Sequence, residues 1–146
     1  MNRGRVFWMA FAALVLLGIA VALLPSAGLR VKRVTEPSAK LTAAMGEARR
    51  RLPEFTKALS NAKVGDRFAI RARFTFNNGG TTGNEYLWLK DPIPSPKGFL
   101  GLIDQDPVLI SRKKGELVLV PRDDIVDWLI KTNDGVTSGG FTNGLE

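Results

Sequence analysis

Between Val6 and Leu24 the chain runs for 19 residues (VFWMAFAALVLLGIAVALL) without a charge or a strongly polar side chain. A helix of that length covers about 28 Å, against about 30 Å for the hydrocarbon core of a bilayer. A helix that is apolar on every face has to be buried all round, and a domain this small has no interior to take it. The run therefore predicts a membrane segment, with Arg3 and Arg5 before it, Trp8 as an interface anchor and Pro25 as its stop. It reads as a retained anchor or as a cleaved signal. Its length, and a proline where cleavage wants a small residue, favour the anchor. The expected division is residues 1–27 as anchor or signal, 28–37 as a basic linker and 38–146 as one folded domain.

What that domain can do is bounded by what it lacks. The 146 residues contain no cysteine and no histidine. Disulfides, thiolate nucleophiles, Ser-His-Asp and Cys-His catalysis and Cys/His zinc sites are excluded, and neither a metal nor a cofactor is expected. The net charge of +7 is unevenly spread: residues 28–73 hold 12 Lys/Arg against 4 Asp/Glu, and residues 74–146 hold 7 against 10. Charge is therefore basic next to the apolar run and mildly acidic beyond it.

Along the domain, Ser38 reads as an N-cap for a helix carrying Leu41, Met45, Ala48 and Leu52 at helical spacing. Pro53 is expected to break or kink that helix and can open another at its first turn, with Phe55 and Leu59 continuing the apolar face. From Asp66 the period becomes two. Phe68, Ile70, Ala72, Phe74 and Phe76 alternate with Ala69, Arg71, Arg73 and Thr75, the pattern of a half-buried strand. A turn at residues 77–80 leads to a second strand over residues 85–90, with Tyr86 and Trp88 on one face and Leu87 and Leu89 on the other. Three prolines predict an irregular stretch over residues 91–98. Short strands are expected at residues 99–103, 108–110 and 117–120. After Pro121, Asp123 is expected to cap a short helix carrying Ile125, Trp128 and Leu129. The fold class is α+β, a kinked helix on a curled antiparallel sheet of about five or six short strands.

The segments EYLWL (85–89), GFLGLI (98–103) with Asp106-Pro107, IVDW (125–128) and GGFT (139–142), in that order behind a helix ending in Pro53-Glu54-Phe55, resemble the YegJ-like family of uncharacterised bacterial domains. The resemblance covers residues 40–145 and implies no activity. In a bacterial setting the apolar run implies a single-pass inner-membrane protein. Its domain would face the periplasm or the exterior, although Arg30, Lys32, Arg33 and Lys40 pull against that orientation.

Carboxylates are the only acid–base candidates left, and Glu85 with Asp127 is the candidate catalytic pair, for a small hydrolase or lyase. Such a pair works only across a substrate cleft. For each acid the plainer reading is structural. Tyr86, Trp88 and Trp128 are candidate binding side chains, with core packing as the plainer reading for all three. Arg49, Arg50 and Arg51 are the candidate contact with anionic lipid, set against a solvated helix face. The basic run lacks interleaved aromatics, which argues against nucleic acid. The leading expectation is a non-enzymatic binding or interaction module tethered to the cell envelope, with a protein as one candidate partner.

Overall fold

A computed structural model describes residues 37–145. The expected anchor, and all but the last residue of the linker, lie outside them. Two helices, α1 (Ala39–Arg50) and α2 (Leu52–Ser60), precede six strands: β1 (Arg67–Asn78), β2 (Thr81–Ser95), β3 (Gly98–Ile103), β4 (Leu117–Pro121), β5 (Ile125–Lys131) and β6 (Thr137–Gly139). The strands form one antiparallel sheet in the order β4-β3-β2-β1-β5-β6. The class is α+β, as expected. Among the described residues no helix is long and apolar enough to cross a membrane.

Ser38 caps α1, its Oγ accepting from the Leu41 N–H at 3.2 Å. Of the break or kink expected at Pro53 the chain takes the break, at Arg51, which ends one helix and begins the next. Pro53 sits in the first turn of α2, where its missing N–H costs no helical bond. Phe55 of α2 is wholly buried. Its ring meets Phe68 at 5.8 Å, Phe99 at 6.0 Å and Trp128 at 5.7 Å between centroids.

Strand alternation divides the sheet into an inner face under Phe55 and an outer face. Ile70, Ala72, Leu87, Leu89, Phe99, Ile103, Val118, Val120 and Trp128 fill the inner face. The β1–β2 register pairs Arg71 with Trp88 and Arg73 with Tyr86 on the outer face. The Gly79-Gly80 turn between these strands has φ of 59° and 85°, which only glycine adopts freely at both positions of so tight a hairpin.

Several local expectations are corrected. β2 begins at Thr81 and runs for 15 residues, through Pro92 and Pro94 to Ser95. Pairing with β1 stops at Lys90, so these prolines lie where β2 pairs with β3 alone and sheet geometry tolerates a missing donor. Residues 108–110 form no strand, and the segment between β3 and β4 is bends and turns. The short helix expected after Pro121 is instead the 3-10 turn Arg122–Asp124 followed by β5. The spacing of Ile125, Trp128 and Leu129 suits a helix. The same stretch, however, holds Ile125, Val126 and Ile130, and a run buried on both faces serves a strand better.

β6 covers β5 only at residues 129–131, which leaves the start of β5 open along one edge. α1 and the C-terminal tail serve that edge. The Arg49 Nε–H donates to the Ile125 carbonyl at 3.0 Å and the Gly140 N–H to the Trp128 carbonyl at 2.7 Å, while the Trp128 indole N–H ties α1 to the strand through the Ala48 carbonyl at 2.9 Å. An edge covered in this way is closed to pairing with another chain.

Candidate functional site

The outer face carries the side chains with the most to offer a ligand. Arg71 is 5% exposed on β1. Its guanidinium carbon lies 5.8 Å from the Tyr86 ring centroid and 5.9 Å from that of Trp88, within cation–π range of both. Tyr86 and Trp88 are each half-buried, so their rings cover the cation and still reach the surface. Tyr86 also packs against the cluster of Leu41, Met45 and Val126.

Asp127 lies beneath this group, opposite Arg71 in the β1–β5 register and wholly buried. One of its carboxylate oxygens accepts from the backbone N–H of Trp128 at 2.7 Å and of Phe141 at 3.2 Å. The other accepts from the Thr142 N–H at 2.8 Å and the Thr142 hydroxyl at 2.6 Å. The Thr142 Oγ1 in turn accepts from Arg71 at 3.0 Å. A chain of bonds thus runs from the tail through Asp127 and Thr142 to the guanidinium. Gly139 makes the approach of the tail possible: it has φ of 87°, and a Cβ there would stand 2.1 Å from the Trp128 carbonyl oxygen and 2.6 Å from its indole ring.

Glu85 lies elsewhere. It shares strand parity with Leu87 and Leu89 and so belongs to the inner face, opposite Phe74. Its carboxylate accepts three consecutive backbone N–H groups: Val108 at 2.7 Å, Leu109 at 2.9 Å and Ile110 at 3.1 Å. This clamps the segment between β3 and β4 and lays Ile110 against the core. Glu85 and Asp127 are therefore on opposite faces of the sheet, and both are engaged with backbone donors. The geometry does not bring them together across a cleft.

The remaining candidates divide just as clearly. Trp128 is fully buried, its ring 5.3 Å from Phe141 in an edge-on contact. Arg49 is held by the β5 edge. Arg50 bonds Glu47 and Arg51 bonds Glu54, contacts that hold each glutamate carboxyl below its usual range. Arg51 also lies 5.2 Å from the Phe141 ring. The three arginines thus have intramolecular partners. Among the described residues, no three acidic side chains cluster to hold a metal ion.

Two members of the outer-face group, Arg71 and Thr142, were not singled out by sequence reasoning. Arg71 occupies a solvent-facing place in the strand alternation, and nothing local shows that a threonine 71 residues away bonds it. The IVDW and GGFT segments held the signal in separate pieces, because Asp127 and Thr142 meet only through the fold.

Residues 38–145 match the model of a family described as "Uncharacterized protein conserved in bacteria (DUF2314)". The chain is 32% identical over 100 residues to the uncharacterised protein YegJ of Escherichia coli K12, covering 68% of this chain and 61% of that protein. It is also 37% identical over 59 residues to a putative ankyrin repeat protein of Neisseria meningitidis serogroup B, covering 40% of this chain and 23% of that one. The matched regions thus span under two thirds of either relative. No solved structure matches.

Proposed function

We propose, for a chain that belongs to the DUF2314 family of proteins conserved in bacteria, a non-enzymatic role as a binding module for a protein partner. The observation that carries this reading is the Arg71–Tyr86–Trp88 cluster, fixed from below by Asp127 and Thr142 and half-open above. Trp, Tyr and Arg are the side chains that most often anchor protein interfaces, and they do so best when held rigid before binding. Leu117, 56% exposed, and Leu119, 44% exposed, extend the same face with apolar surface of the kind that marks contact sites. The structural employment of Glu85 and Asp127 supports the choice of binding over catalysis.

The module is tethered to the bacterial inner membrane by the run from Val6 to Leu24, with the domain on the periplasmic or outer side. The length and composition of that run support this part of the reading.

Photocrosslinking in the full-length chain in cells tests the proposal. A crosslinker at Tyr86 should give a discrete protein adduct that Trp88→Ala abolishes, and a crosslinker at Lys97 should give none. A turnover on envelope substrates that Glu85→Gln removes without loss of stability would overturn the reading in favour of a hydrolase or lyase.

A further inference from the structure

The register of β1 and β5 places Arg67 directly opposite Lys131. Directly opposed residues share a face with Cβ atoms about 5 Å apart, and like charges placed so are destabilising. Other outer-face cations have their charge answered: Arg73 bonds Asp124 at 2.6 Å, and Lys90 bonds Asp104 at 3.3 Å. Among the described residues neither Arg67 nor Lys131 has an acidic partner. The fold therefore keeps two unanswered positive charges side by side on a rigid strand pair.

Next to them the surface is hollow. Ala69 pairs with Lys90 on β2 and with Leu129 on β5, and all three line a depression of about 480 Å³. Arg67 and Lys131 line it together with Lys90, Asp104, Phe68 and Leu129. Asp91 borders the same depression with φ of 52°, in the left-handed region and at the irregularity where β2 leaves β1. A bulge of this kind re-aims side chains next to binding sites. Since Asp104 neutralises Lys90, the free positive charge lies on the Arg67–Lys131 side, and Asp91 limits how far an anion can extend across.

We propose that this depression binds a compact phosphate-class oxyanion, gripped by the planar fork of Arg67 and the ammonium of Lys131. The site is separate from the Tyr86–Trp88 surface. An anion there removes the like-charge opposition between β1 and β5, so binding is coupled to stability.

The test uses the full-length chain with inorganic phosphate and with glycerophosphoglycerol, a soluble lipid headgroup, at constant ionic strength. Amide NMR shifts at Arg67, Ala69 and Lys131 report binding, and thermal unfolding reports stability. One or both ligands should bind saturably and raise the melting temperature, and whichever binds more tightly identifies the source of the phosphate. Lys131→Glu should weaken binding at least tenfold while raising the melting temperature of the unliganded protein, because it supplies the missing partner to Arg67. Lys57→Glu, the same charge change on α2, should leave binding unaltered. Shifts that do not saturate, or that fall equally in both variants, would mean general screening and overturn the site. The Tyr86 crosslink does not pass through Lys131, so either proposal can fail alone.

Discussion

The two faces of the sheet are built on opposite principles. The inner face is a stack of aliphatic and aromatic side chains under Phe55, and its specificity comes from shape. The outer face sets Arg67, Arg71, Arg73, Lys90 and Lys131 among Ala69, Tyr86, Trp88 and Leu129 on the same three strands. It holds the buried polar chain Asp127–Thr142–Arg71. Burying charge and hydrogen-bonding groups is a costly way to stabilise a small domain, and here it ties the tail and the Arg71 guanidinium into one arrangement. The inner face accounts for the fold, and the outer face for the function proposed above.

Substitutions separate the two. The largest effect should come from Trp128→Ala, which empties the centre of the inner face and leaves the Ala48 carbonyl without its donor. A loss of about 3–5 kcal/mol is expected in denaturant unfolding. A loss below about 1 kcal/mol would show that the inner face is not the main core. Asp127→Ala comes next, at about 3 kcal/mol, because three backbone N–H groups and a hydroxyl lose their acceptor and Arg71 keeps its charge. Hydrogen exchange should locate that damage at residues 139–145, and damage confined to α1 would contradict the bonded chain. Trp88→Ala should cost about 1 kcal/mol or less, since the ring is half-exposed, yet abolish the Tyr86 crosslink. A large stability loss with the crosslink intact would move Trp88 into the core.

The smallest expected effect is one of pH. Asp66 accepts from the backbone N–H of Lys63 and of Asn133, both at 2.9 Å, and these bonds hold its carboxyl below its usual 3.8. A carboxyl depressed on folding contributes stability that is fully present above its unfolded value and is lost as pH falls through the lower folded one. Asp66→Asn should therefore melt below the wild type at neutral pH, and the gap should close as pH falls below 3.8. A gap that stays constant with pH would show that the carboxylate charge contributes nothing.

The inner face was legible in the sequence because alternation is a local signal. Phe68 to Phe76 and Leu87 with Leu89 announce strands wherever they occur. Ser38 announced its helix, and Asn78-Gly79-Gly80 its hairpin. β5 was misread because its apolar residues satisfy both periods over so short a span, and only the pairing of Ile70 with Trp128 decides between them. The prolines of β2 misled because their tolerance depends on which neighbour strand is absent. The outer-face group was half legible: Tyr86, Trp88 and Asp127 were candidates, but Arg71 and Thr142 join them through contacts across 71 residues that no local pattern encodes. Glu85 stood out by type, and its role as a loop clamp depends on a segment more than 20 residues downstream.

The choice of binding over catalysis requires Glu85 to be a structural acceptor, and one measurement addresses that directly: unfolding free energy and amide exchange of the full-length chain carrying Glu85→Gln. Exchanging the carboxylate for an amide leaves one oxygen for three N–H donors. A loss of about 1 kcal/mol is predicted, with faster exchange at Val108, Leu109 and Ile110 and an undiminished Tyr86 crosslink. Unchanged stability and unchanged exchange, together with the loss of an enzymatic turnover, would contradict it.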